Sequence, residues 1–249
     1  MTSSEAGKAA PWCTNRPANF LNDLAVADRA GIEPFLETTS VARGCTLFGV
    51  TDYGEHVYFP QGPLISLVGG NQVEVALIGS EGIVGWPALV GCKSSPYQAI
   101  VRGCDGVVLK MQTERLMTIM AVTPRLGLVL QRFVNVINVQ MAETIGAYAL
   151  HRIDMRLARW LLLRHDRLGG DEIVVQHNEI ADNLGVRRAS ITDCLHIVEG
   201  NGLIRCKRGR ISVRDRSGLE RLAAGCYGGA ETFYREVIGD FGKRAPTSQ

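Results

Sequence analysis

Between residues 41 and 111 the apolar positions come in short runs punctuated by glycine: HVYFP (56–60), LISLV (64–68), QVEVALI (72–78), YQAIVRG (97–103) and GVVLKM (106–111). Val73, Val75 and Leu77 alternate with Glu74 and Ala76, the period of two expected of a half-buried strand. Gly69-Gly70 and Glu81-Gly82 fall between runs and supply turns. Many short strands joined by such turns predict a small sandwich or jelly roll. Ahead of it, residues 20–30 predict a short helix. Residues 1–18 are small, polar and proline-containing, and predict a frayed end.

At Thr113 the period changes. Apolar residues then recur at Leu126, Leu130, Phe133, Val134, Ile137, Met141, Ile145 and Tyr148, in steps of three and four. They form one stripe of a helix of about 25 residues, roughly 38 Å long. Such a helix outruns one small β-domain, so part of its stripe needs a further partner. Packing on its own chain alone is one solution, and pairing with the same helix of a second subunit is the better one. Leu130, Phe133, Ile137, Met141, Ile145 and Tyr148 are the candidate dimer-interface positions. A second helix follows over residues 155–167, apolar at Leu157, Trp160, Leu161 and Leu163. Gly169-Gly170 ends it, and EIVVQ (172–176) predicts a brief strand.

The stretch HNEIADNLGVRRASITDCLHIVEGNGLI (177–204) is the most informative. Ile180, Ala181 and Leu184 mark the inner face of one short helix, and Gly185 stops it. Ile191, Leu195 and Val198 mark the inner face of a second, ending at Gly200. Two short helices packed across a glycine turn of fixed length predict a helix-turn-helix. At 100° per residue, Ala189, Thr192, Asp193 and His196 lie opposite Ile191, with Arg188 on the flank of the first turn. Arg188 is the candidate base reader, because arginine bonds guanine O6 and N7 together. Arg187, Ser190 and the segment Gln176-His177-Asn178 are placed for phosphate contacts, which set register. In LIRCKRGRISVRD (203–215), Arg205, Lys207, Arg208 and Arg210 surround Gly209 ahead of alternating Ile211 and Val213. That pattern predicts a tight hairpin, a wing over the phosphate backbone, with Arg208 and Arg210 at its tip.

Composition adds little to this and charge placement adds more. The 249 residues are 46% hydrophobic and 21% charged with a formal net charge of +2, ordinary for a globular chain of two domains. Residues 1–150 hold 10 Lys+Arg against 12 Asp+Glu, and residues 151–249 hold 17 against 13, so positive charge collects late. Seven scattered cysteines, with no C-x-x-C, argue against a secreted disulfide framework and a zinc ribbon. No signal peptide or membrane span is expected, so the predicted location is a reducing cytoplasm. No Ser/His/Asp set, H-E-x-x-H or phosphate loop points to an enzyme.

VYFPQGPLISLV (57–68), VEVALIGSEGIVGWPALVG (73–91), the long helix and NEIADNLGVRRASITDCLHIVEGNGLIRCKRGRISV (178–213) together resemble the Crp/Fnr family of transcription regulators, over roughly residues 20–215. The resemblance implies an α+β chain with a cyclic-nucleotide-binding-like β-roll, a dimerising helix and a winged helix-turn-helix. It implies a homodimer on a partly palindromic operator in double-stranded DNA, with RNA polymerase as a further partner. The expected divisions are 1–18, 19–122 (β-roll), 123–151 (long helix), 152–230 (DNA-binding domain) and 231–249 (tail). The effector pocket implied by the family's cassette falls at Gly82, Trp86, Tyr97 and Gln98. In the cyclic-AMP-binding branch a glutamate and an Arg-Ser pair hold the nucleotide, and here Trp86 and Tyr97-Gln98 stand in their places. A buried phosphate would lack a cation, so cyclic AMP is not expected. The oxygen-sensing branch needs clustered N-terminal cysteines, and only Cys13 lies there, so no iron–sulfur cluster is expected. His56 is a conceivable haem ligand, though a lone histidine is more often structural, and no cofactor is predicted. Ala189 replaces a glutamate and Asp193 an arginine of the family's recognition helix, which implies a different operator. The competing reading is a small-molecule sensory or scaffold module whose C-terminal helices serve protein contacts.

Overall fold

The structure, a computed structural model, describes residues 19–50, 54–70, 72–92 and 94–243. The expected frayed end and Cys13 lie outside these. The chain opens on two helices where one was expected, α1 (Phe20–Asp23) and α2 (Val26–Ile32). Seven strands follow: β1 (Glu37–Val41), β2 (Thr46–Phe48), β3 (His56–Pro60), β4 (Leu64–Val68), β5 (Glu74–Ile78), β6 (Gln98–Arg102) and β7 (Gly106–Gln112). They pair antiparallel in two sheets, β1-β7-β3 and β2-β6-β4-β5. Val57, Phe59, Ile65, Leu67, Ala99, Val101 and Val108 fill the space between them.

The alternation along β5 runs opposite to expectation. Glu74 and Ala76 are buried and Val75 is only half-buried. The reason is that the outer face of this sheet is also covered: Leu77 packs with Leu64 and Leu163. With both faces closed, side-chain polarity no longer marks the inward direction.

The expected long helix is α4 (Pro124–Leu150), with Pro124 at its first helical position, and a separate shorter helix, α3 (Thr113–Val122), precedes it. α4 turns Leu126, Leu130, Phe133 and Ile137 into the β-roll, where the last three are 3%, 1% and 0% exposed. This corrects the expected dimer stripe, because these three side chains already have partners in their own chain. Met141 is half-buried at the margin of that core. The Tyr148 hydroxyl donates to the Asn183 carbonyl at 2.9 Å, so it too faces its own chain. Ile145 alone of the six is wholly outward, 71% exposed. It shares the outer face with Leu128, Asn135, Asn138, Ala142 and Ala149.

Beyond α4 come α5 (Ile153–His165), β8 (Glu172–Val174), α6 (His177–Leu184), α7 (Arg188–Gly200), β9 (Ile204–Lys207), β10 (Arg210–Val213) and α8 (Arg216–Leu222). Leu157, Leu161, Ile180, Leu184, Ile191, Leu195, Val198 and Ile211 close a second core. The sheet order is β8-β10-β9. The expected tail from 231 is instead α9 (Gly229–Val237). Its Tyr234 and the following Phe241 are buried in the first core, not the second. Cys45, Cys92, Cys194, Cys206 and Cys226 are free thiols.

Two buried ion pairs join the cores. The Arg164 guanidinium donates to both Glu74 oxygens at 2.9 and 2.7 Å, and the Ser66 hydroxyl donates to the same carboxylate. Arg167 Nε donates to Glu81 at 2.7 Å and its guanidinium also reaches the Leu163 carbonyl at 2.8 Å. Arg164 and Arg167 are each 3% exposed. Removing one partner of such a pair strands the other charge out of water. Glu74→Ala is expected to lower the unfolding free energy by roughly 3–5 kcal/mol in urea titration. The double change Glu74→Leu with Arg164→Met should recover most of it. A small loss for the single change, or no recovery in the double, would show that the pair is not isolated from solvent.

Candidate nucleic-acid interface

Gly185 makes the turn between α6 and α7, and its φ of 62° is a conformation that side-chain-bearing residues rarely adopt. The apolar faces of the two helices meet as their spacing dictates, with Ile180, Leu184, Ile191 and Leu195 buried. What remains outside is polar. Arg187, Arg188, Ala189 and Asp193 are exposed on α7, as are Gln176 and Asn178 at the start of α6. His177 and Ser190 are half-buried between them. Most of the candidate contacts on α6 and α7 are therefore at the surface, and the two helix starts meet where His177 approaches Thr192.

Thr192 differs from expectation: it is half-buried, its hydroxyl donates to the Arg188 carbonyl at 3.2 Å, and it lies 3.3 Å from His177 Nδ1. It ties α6 to α7 more than it faces outward. Neither helix start is capped by a side chain, at Gln176 or at Arg187. First-turn N–H groups left open in this way suit a phosphate oxygen.

The wing is the β9–β10 hairpin, turned at Arg208-Gly209 with Gly209 at φ 71°. Arg208 and Arg210 are exposed at the tip. Arg210 pairs with Glu172 at 3.0 Å and Arg205 lies 3.7 Å from Glu199. Among the described residues, Arg187, Arg188 and Arg208 have no carboxylate within ion-pair distance, so their charge is available to a ligand. Burial raises the Cys194 thiol and takes Cys206 up to about 11, with Glu199 adding to the second. Both thiols beside this surface stay protonated at neutral pH.

Three of the four expected pocket residues, Gly82, Trp86 and Tyr97, belong to one aromatic cluster with Phe133, and Gln98 follows Tyr97. A short 3-10 turn, Trp86–Val90, follows Gly85, whose φ is 96°. The Trp86 ring lies 5.7 Å from Tyr97 and 6.4 Å, edge-on, from Phe133. A Cβ on Gly82 would fall 2.2 Å from Phe133 Cζ, so glycine there admits the ring. Trp86 and Tyr97 are buried and Gln98 is half-buried. Burial pushes the Tyr97 hydroxyl up. His56 is half-buried beside an open groove of about 740 Å³ lined also by Ala88, Cys92, Thr113 and Met117. Among the described residues, no group of three or more His, Cys, Asp or Glu is placed to hold a metal ion. No described helix is long and apolar enough to cross a membrane.

Sequence reasoning missed the contact between this surface and the β-roll. Arg43, before β2, donates to Glu179 of α6. A Cβ on Gly185 would lie 2.9 Å from Val73 Cγ2, at the foot of the β4–β5 hairpin. These partners are 136 and 112 residues apart in the chain, beyond the reach of any local pattern.

Residues 155–222 match the Crp-like helix-turn-helix domain. The chain is similar in structure to a transcriptional regulator of the Crp/Fnr family from Eubacterium rectale, with 20% identity, 81% of this chain and 96% of that chain covered, and a TM-score of 0.62. It is similar to FixK2 from Bradyrhizobium japonicum at 16% identity, 77% and 99% coverage and a TM-score of 0.64. It is also similar to CLP from Xanthomonas campestris, described as a c-di-GMP responsive global regulator, at 14% identity, 76% and 99% coverage and a TM-score of 0.64. No curated protein sequence matches it significantly. The fold is thus that of the Crp/Fnr regulators, with a Crp-like helix-turn-helix at its C-terminal end.

If Trp86 fills the roll's interior, Trp86→Ala should cost roughly 3–5 kcal/mol, read as a fall in thermal midpoint. An unchanged midpoint would mean that the indole lines a solvated cavity. Calorimetry on the unaltered protein should show no saturable uptake of cyclic AMP or cyclic GMP at micromolar levels.

Proposed function

We propose that this chain, which carries the Crp/Fnr fold and a Crp-like helix-turn-helix, is a sequence-specific DNA-binding transcription regulator that acts as a homodimer without cyclic AMP. One observation carries the reading. Two uncapped helix starts and the exposed Arg187, Arg188 and Arg208, which form no ion pair, belong to one helix-turn-helix and wing module. Only a polyanion with periodic phosphates uses all of these at once, and duplex DNA adds base edges for Arg188.

The second subunit is met by the outer face of α4. Leu128 and Ile145, 47% and 71% exposed, are apolar there, and Ala142 and Ala149 let a second helix approach closely. A two-fold dimer presents its recognition helices to successive major grooves, so half-sites are expected about one helical turn apart.

Selection from a random duplex pool with purified protein tests this reading. A partly palindromic consensus supports it, and retention of no duplex favours a protein-binding scaffold. Within the consensus, Arg188→Ala should cost roughly 1–3 kcal/mol and relax preference at one base pair per half-site. Arg208→Ala should weaken all sequences alike and flatten the salt dependence by about one unit. Equal, sequence-blind losses in both would remove Arg188 from the groove. For the dimer, Ile145→Glu should sediment as a folded monomer, whereas Ile137→Glu should unfold. A dimer intact in Ile145→Glu would place the interface elsewhere.

A further inference from the structure

We propose that residues 229–243 form a strap that holds the helix-turn-helix module against the β-roll in an orientation closed to DNA, and that Glu231 is its point of release. This rests on α7 being the helix that meets DNA. The strap lies beyond the matched domain, which ends at residue 222, yet its Tyr234 and Phe241 are buried in the core of the β-roll. Tyr234 is wholly buried, and its hydroxyl bonds Asp23 Oδ2 and the Glu81 carbonyl, each at 3.0 Å. The ring of Phe241 lies 5.0 Å from that of Tyr234, and the Arg167 guanidinium stands 5.0 Å over it. The Gly229 N–H donates to Glu143 of α4 at 2.7 Å, and Arg132 of α4 donates to the Val237 carbonyl at 3.1 Å. The module is therefore tethered to the roll at both ends, through the α4–α5 junction and through α9.

The orientation so fixed seats the helix-turn-helix on the β4–β5 hairpin, through Val73 at Gly185 and Arg43 at Glu179. Gly185 is two residues ahead of Arg187. The major groove is about 12 Å wide and 8.5 Å deep, so a helix that reads its floor must let the phosphate ridges pass beside its first turn. The hairpin reaches Gly185, at the edge of that flank.

Glu231 makes this hold conditional. It is 2% exposed, and neither carboxylate oxygen bonds a group of another residue. It lines a polar cavity of about 400 Å³ between α8 and α9. Facing it are Asp166 and Arg167 at the end of α5, Glu143 of α4, and Tyr227 before α9. Arg216 and Glu220 of α8, Arg235 of α9 and Lys243 line the same cavity. Arg216 and Arg167 are committed to Asp166 and Glu81, and Lys243 to Gly170 and Asp171, so none neutralises it directly. Burial, with Asp166 and Glu143 adding and Arg167 opposing, takes Glu231 from 4.5 up to about 7. Asp23 is also raised by burial and acts in the same direction. The docked strap thus binds a proton that the released strap gives up. Docking is strongest below pH 4.5 and weakens by up to about tenfold per pH unit as pH rises toward 7.

The test uses the full chain. Amide-exchange protection factors over 229–238 are measured from pH 5 to 8 beside the affinity for a selected duplex. Protection is expected to fall, and affinity to rise, as pH increases. Glu231→Gln mimics the protonated side chain. It should keep the strap protected at pH 8, weaken DNA binding there and reduce the linked proton count by about one. Tyr234→Phe, which loses both hydroxyl bonds, should lower protection and raise affinity at every pH. Protection that is flat with pH, or identical in Glu231→Gln and the unaltered chain, overturns Glu231 as the release point. Strap release without any gain in affinity overturns the closed orientation. Strap release with no duplex bound at any pH, in Tyr234→Phe also, leaves the strap standing and overturns the DNA-binding reading.

Discussion

The pair of buried arginines at the C-terminal end of α5, Arg164 within the helix and Arg167 just past it, is the constraint on which the arrangement of this molecule depends. Arg164 and Arg167 are one turn apart, and their carboxylate partners, Glu74 and Glu81, flank the two ends of β5. A buried charge tolerates no substitute for its partner, so both pairs must form together. That requirement fixes the angle of α5 over the sheet and the height of the helix-turn-helix beside the β4–β5 hairpin. Trp160, with the Arg164 guanidinium 3.4 Å above its ring, and Ser66, on Glu74, complete the enclosure. Charge geometry, more than apolar area, specifies how the two cores meet.

α4 then serves three surfaces at once. Its inner face belongs to the roll, one flank is covered by α9, and the outer face carries Leu128 and Ile145 to solvent. The stripe visible in the sequence spans parts of these. Spacing of three and four locates apolar positions on a helix but cannot say which neighbour each will meet. Leu130, Phe133 and Ile137 were therefore legible as buried, yet their partner is the β-roll. The same limit explains β5. Glu74 looked solvent-facing because it is charged, and it is buried because Arg164, 90 residues later, covers it and supplies the matching charge.

The helix-turn-helix was the most legible part, for a physical reason. Its core is built from residues within about twenty positions of one another, and Gly185 is obliged by a backbone angle. The wing was legible likewise, because a two-residue turn at Arg208-Gly209 dictates its hairpin. The C-terminal strap left a fainter signal. Ala230, Phe233, Tyr234, Val237 and Phe241 lie three, four or one residue apart as on one helix face, but each gap of three or four holds a charged residue and Asp23, one of the partners, lies 211 residues upstream. Composition near a chain end predicts a tail, and only the apolar recurrence argues for a docked helix.

The filled interior of the roll shifts where control can act. In a roll with an open pocket, a ligand changes the packing of α4 from within. Here Trp86, Tyr97 and Phe133 already occupy that place, and well-packed rings leave little to rearrange. The groups whose state can still change are at the seam between the modules. Glu231 is ionisable and orphaned there, Asp166 accepts from Arg216, Tyr227 and the Lys243 amide, and His165 is lowered by burial. A seam held by a few fully enclosed charges opens as a unit, because exposing one pair to water weakens the others through the same rise in local dielectric. Such a boundary has two states, and any event that stabilises one of them acts on the exposed arginines of α7 without touching them.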